Sequence, residues 1–105
     1  MQKTTIDTFS EITPEQIASW KEKHGEVYKL TCEDKSCIVK LADRKTLSFA
    51  SASGTKDPMK FNEMILRGCW LGGDKEILEN DNYFISVGQK IAELVQFKKA
   101  TLEKL

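Results

Sequence analysis

The sequence predicts an α+β fold: an N-terminal helix, a two-stranded antiparallel β-hairpin, and then two to three helices packed on it. Three observations carry that expectation. Thr13-Pro14 opens an apolar-periodic segment with the grammar of a helix start. Two β-branched and aromatic runs, near Val27 and Ile38, flank a polar middle, as in a hairpin. Beyond them, Asp43 and Asp57 each precede apolar residues at helical spacing.

The 105 residues suit a single domain over 1–105. Residues 1–10 carry little pattern and read as a flexible arm, and residues 99–105 as a frayed end. The first helix has Thr13 as N-cap and Pro14 at the first helical position, where its missing N–H costs nothing. Gln16 completes a capping box, and Ile12 and Ile17 are placed for a hydrophobic staple. The helix runs to about His24 and stops at Gly25, with Lys21, Lys23 and His24 where positive charge suits the dipole. Its apolar stripe is thin (Ile17, Trp20), so it must lean on another element.

Val27–Cys32 and Cys37–Leu41 read as the two strands, joined by Glu33-Asp34-Lys35-Ser36. Tyr28, Leu30 and Cys32 share one face with Cys37, Val39 and Leu41 on the return strand. A lone two-stranded ribbon is marginal in water, so helices must cover a face. Residues 44–53 read either as a helix capped by Asp43, with Leu47, Phe49 and Ala50 as its apolar residues, or as an alternating strand. Asp57-Pro58 starts the most apolar helix, with Phe61, Met64, Ile65 and Cys69 at helical spacing and Leu66 and Trp70 widening the stripe. Gly68 inside it costs about 1 kcal/mol against alanine, which implies a close contact there. Gly72-Gly73 reads as a helix stop. Asn80 or Asp81 caps a last helix whose stripe is Phe84, Val87, Ile91, Leu94 and Val95, with Leu102 and Leu105 as an extension.

Composition narrows the function. The charges balance at 16 basic and 16 acidic residues. Nucleic-acid binding therefore lacks the basic excess that phosphate contacts demand. No stretch approaches the ~20 apolar residues of a membrane span, and Met1 to Ser10, polar and mixed without an apolar run, leads to the expectation of no signal peptide. With three cysteines, an odd number, the expectation is a reducing cytoplasm and free thiols, the redox state of Cys32 and Cys37 staying open.

The candidate chemistry is sparse. Zinc would need about four ligands, and Cys32, Cys37, Cys69 and His24 do not match a zinc signature. His24 is the only histidine and has a simpler role at a helix end. Asp74 after Gly72-Gly73 lacks the oxygen-ligand spacing of a calcium loop, and no phosphate-binding glycine loop occurs. The expectation is a non-enzyme with no catalytic residues, no cofactor and no metal. Trp70 is weighed between a core residue and an exposed anchor, since tryptophan is enriched at binding hot spots.

Three stretches carry a resemblance: Lys40-Leu41-Ala42-Asp43-Arg44-Lys45-Thr46-Leu47; Asp57-Pro58-Met59-Lys60-Phe61-Asn62-Glu63 with Cys69-Trp70-Leu71-Gly72-Gly73-Asp74; and Ala92-Glu93-Leu94 through Lys104-Leu105. Over about residues 14–105 the sequence resembles small phage and prophage proteins similar to the tail assembly chaperones of long-tailed bacteriophages. The resemblance implies a small, mostly helical α+β domain in the cytoplasm of the bacterial host cell. It implies binding to the tape-measure protein, to tail-tube protein, or to both before assembly, by masking apolar surface in a groove between helices. It supplies no catalytic residues. One departure is Ala42, where a proline is expected before Asp43-Arg44.

The leading expectation is thus a protein-binding module with Trp70, Leu71, Leu102 and Leu105 as contact residues, self-association being left open. The alternative is another small accessory or regulatory protein of a mobile element, acting on a host protein or nucleic acid. A basic face of Lys40, Arg44, Lys45 and Lys60 would favour nucleic acid. An enzyme would require His24 or Cys69 beside a carboxylate in a hollow.

Overall fold

A computed structural model describes residues 8–95 and 100–105. The expected arm, 1–10, falls mostly outside these residues, but its end does not hang free. Phe9–Glu11 forms a 3₁₀ turn, and the Phe9 amide donates to Asp74 Oδ1 at 2.8 Å. Helix α1 (Pro14–His24) starts as its residues dictate: Thr13 Oγ1 accepts from the Gln16 amide at 3.2 Å, and Gln16 Oε1 accepts from the Thr13 amide at 3.0 Å. None of its residues is buried, and it leans on strand β1 (Val27–Cys32).

Strands β1 and β2 (Lys35–Lys40) pair antiparallel with Leu30 opposite Cys37 and Tyr28 opposite Val39. The connection is shorter than the expected four residues. Only Glu33 and Asp34 turn, and Glu33 takes a positive φ of 55°. A tight two-residue hairpin favours such a φ because its twist matches the strands. Lys35 and Ser36 therefore belong to the strand, and Leu41 lies past its end.

Helix α2 (Arg44–Ser53) is a helix rather than a strand. Asp43 Oδ1 accepts from the Thr46 amide at 2.7 Å, so the cap forms without a preceding proline. Helix α3 (Pro58–Cys69) is capped by Asp57, whose carboxylate accepts from the Met59 and Lys60 amides. An ideal Cβ built on Gly68 would lie 2.5 Å from Thr46 Cγ2, so glycine lets α3 cross α2 closely there.

The main correction follows α3. Trp70 turns to extended backbone, and Trp70–Gly73 forms strand β3, antiparallel to β2. The sheet has three strands in the order β1-β2-β3, not two. Gly72-Gly73 is thus a strand segment, not a helix stop. Val39 faces Trp70 and Ile38 faces Gly72, so Leu71 is the extra residue of a β-bulge. Gly73, at φ 147°, lies so close to Cys37 and the Ser36 carbonyl that a side chain would collide with both.

Helix α4 (Glu76–Glu79) is one short turn, and helix α5 (Asp81–Ile91) follows with Asn80 as its cap. A 3₁₀ turn (Ala92–Leu94) closes against the exit of β2, where the Ala42 amide donates to the Leu94 carbonyl at 2.9 Å. Leu102 and Leu105 do not extend α5; they lie in irregular backbone.

The core joins Cys37 and Val39 of β2 with Ala50, Ile65, Leu66, Cys69, Ile77, Val87, Ile91 and Leu94. As the central strand, β2 is covered on both faces: Ser36 and Ile38 on its second face are also buried. That second side is where the Phe9–Glu11 turn packs on β2 and β3.

Candidate protein-binding surface

Helix α2 packs on α3, while α3 packs on β2 and α5 on β1; each helix leaves its opposite side in solvent. Three large apolar residues stand on that outer side: Phe49 is 65% exposed, Met59 47% and Ile85 53%. The sequence pattern groups Phe49 with the apolar residues of α2, and the structure separates it from them. Residues two apart on a helix point to nearly opposite sides, so Phe49 cannot share a face with the core-packed Leu47. Met59 stands two residues from Phe61, and Ile85 two from Val87, in the same relation to the core. The spacing carries this signal only once Leu47, Phe61 and Val87 are known to face the core.

Two hollows flank the outer side of α3. The first, about 340 Å³, lies between α2 and α3 with Phe49 and Met64 at its walls and Lys45 and Arg67 on its rim. The second, about 380 Å³, lies between α3 and α5 with Met59, Leu78, Phe84 and Ile85 as its apolar lining. Its rim is mostly acidic: Asp57, Glu63 and Asp81 against Lys60. A charged ridge separates the two. Glu63 bonds Arg67 Nε at 3.0 Å and faces Lys60 Nζ at 3.7 Å. The Arg67 hydrogen bond, aided by Lys60, holds the Glu63 carboxyl below the usual range against a smaller opposing effect of burial.

Of the residues expected from sequence, Trp70 is half-buried and packs against the core from β3. Leu71 is half-buried at the bulge. Leu102 and Leu105 are fully exposed. A side chain that exposed touches nothing, so the four residues do not form one continuous patch. Lys40 lies 3.7 Å from Asp43, and Lys60 neighbours Glu63. Both lysines are thereby drawn to carboxylates, while Arg44 and Lys45 stay in solvent on α2.

The thiols and the histidine are placed apart from any such surface. Cys37 and Cys69 are fully buried. Burial, with Asp74 nearby, pushes the Cys37 thiol up to about 12, and burial pushes Cys69 up to about 11. A thiol so shifted is a poor nucleophile at neutral pH. Cys32 is opposite Lys35, not Cys37, and all three cysteines are free. His24 is exposed at the end of α1. Among the described residues, no three His, Cys, Asp or Glu side chains gather as metal ligands would. None of the described helices is long and apolar enough to cross a membrane.

Asp74 has a role the sequence did not reveal. Its Oδ1 accepts from the Phe9 amide and its Oδ2 from the Ser36 amide, each at 2.8 Å, while its own amide donates to the Ser36 carbonyl. Both carboxylate oxygens thus accept from backbone amides. The hairpin tip is tied down as well: Tyr83 donates to Asp34 Oδ1 at 3.0 Å, and Lys35 pairs with Glu76 at 3.4 Å.

No protein-family model, no curated protein and no solved structure matches this chain.

Proposed function

We propose that this protein is a non-enzymatic binding module of the tail assembly chaperone type, holding tape-measure or tail-tube protein in the bacterial cytoplasm before assembly. The observation that carries the reading is the set of apolar side chains left in solvent: Phe49, Met59 and Ile85 on the helical side, with Leu102 and Leu105 beyond it. Apolar residues exposed on a groove between helices suit the capture of an amphipathic partner helix. The Phe49 hollow, rimmed by Lys45 and Arg67, favours a partner helix with acidic flanks. Leu71 and the exposed edge of Trp70 extend the contact set at the end of the sheet.

Co-expression with the tape-measure and tail-tube proteins of the same genome tests the reading. The expected result is a complex that keeps the tape-measure protein soluble. Phe49→Asp is expected to weaken it by at least about tenfold, the effect of removing one apolar anchor. If neither protein co-purifies with the wild-type chain, the reading fails.

A further inference from the structure

We infer that this protein self-associates by exchanging its last residues: the Ala100–Leu105 segment of one copy docks in the α3–α5 hollow of a second copy. The two surfaces are complementary, and among the described residues neither is filled within one copy. Leu102 and Leu105 are fully exposed, so the segment lies off its own hollow. The two leucines are three residues apart, a spacing that one helical turn brings to the same side. Met59 and Ile85 offer an apolar lining for them, in a hollow of about 380 Å³.

Charge selects this hollow over its neighbour. The sequence around the leucines carries Lys98, Lys99 and Lys104 against Glu103. The α3–α5 rim carries Asp57, Glu63 and Asp81 against Lys60. The other hollow presents Lys45 and Arg67, which repel a lysine-rich segment. Exposed charges are screened at physiological salt, so they orient the segment, and the leucines supply most of the affinity. A contact of this size belongs to the weak, transient class. Reciprocal exchange closes a two-fold dimer in which each copy gives one segment and receives one.

The inference stands apart from the tape-measure reading, because the purified chain alone tests it. Sedimentation velocity over a concentration series reaching ~100 µM covers the range in which weak pairs form. The expected result is a monomer–dimer equilibrium that weakens as salt is raised. The double variant L102D/L105D should raise the dissociation constant at least about tenfold, with unchanged circular dichroism, because those side chains touch nothing in the fold. I85D damages the hollow and should also give monomers. Mixing the two variants should recover part of the pairing, since the intact hollow of one accepts the intact segment of the other, one contact where the wild-type dimer has two. A wild-type monomer at every concentration overturns the inference and leaves the hollow to a foreign helix or to the chain's own segment. So does a dimer that L102D/L105D leaves intact. Should I85D fail to fold, the segment variant still decides.

Discussion

Asp74 joins the beginning of the described chain, the start of β2 and the end of β3 through its two carboxylate oxygens and its amide. Hydrogen bonds from backbone amides to a charged acceptor are worth more than neutral ones. Asp74→Ala is expected to cost about 2–3 kcal/mol, measured by urea denaturation. Asp74→Asn should recover only part of the loss, since its amide nitrogen cannot accept the second bond. The buried thiols set a pH limit. Cys37 rises from the ordinary 9.0 to about 12, and Cys69 from 9.0 to about 11. Between the ordinary and the raised values the folded state holds protons that the unfolded chain has released. The stabilising effect is therefore complete below about 9 and is lost as pH climbs through the folded values. The thermal midpoint should fall above that point, and Cys37→Ala should make the decline shallower. At this scale the sequence was legible where the chemistry is local: Thr13, Asp43 and Asp57 act as the caps their side chains dictate. Asp74 was not, because its amide donors lie 38 and 65 positions away.

The crossing of α2 and α3 turns on Gly68 and Thr46. Alanine in place of glycine is intrinsically favoured in a helix by about 1 kcal/mol. Here its Cβ would sit 2.5 Å from Thr46 Cγ2, and overpacking of this kind costs about 1–3 kcal/mol. Gly68→Ala is thus expected to be net destabilising, and Thr46→Ala in the same chain should restore stability. A double-mutant cycle by thermal melting checks the coupling. The cap of α2 predicts a smaller change: Asp43→Ala should cost about 1 kcal/mol. The sequence anticipated a close contact at Gly68 but could not name Thr46. It also left residues 44–53 between helix and strand, because Leu47, Phe49 and Ala50 fit an alternating pattern about as well as a helical one. The helix places Leu47 and Ala50 inward and turns Phe49 to solvent. Strand β3 was missed for a different reason. Trp70 stands four residues after Leu66, a helical spacing, and four residues are too few to show a strand period.

Across the molecule, β2 is the organising element, with pairing on both edges and cover on both faces. Its second face depends on the Phe9–Glu11 turn, where Lys29 Nζ also stands 4.8 Å from the Phe9 ring centre. Removing residues 1–11 should lower the thermal midpoint and speed amide exchange around Ser36 and Ile38. Unchanged exchange there would show that the turn protects nothing. The sequence by itself determined the α+β class, the hairpin, the starts of α1 and α3, and most of the buried stripe. Those features rest on caps, turns and periodicities that act within a few residues along the chain. Only the tertiary structure decided the third strand, the bulge at Leu71, the clamp at Asp74 and the outward turn of Phe49, Met59 and Ile85. Each depends on what a distant segment brings alongside: Gly73 becomes a strand residue because Cys37 lies against it, and an apolar side chain becomes surface because the core is already full on the helix's other side.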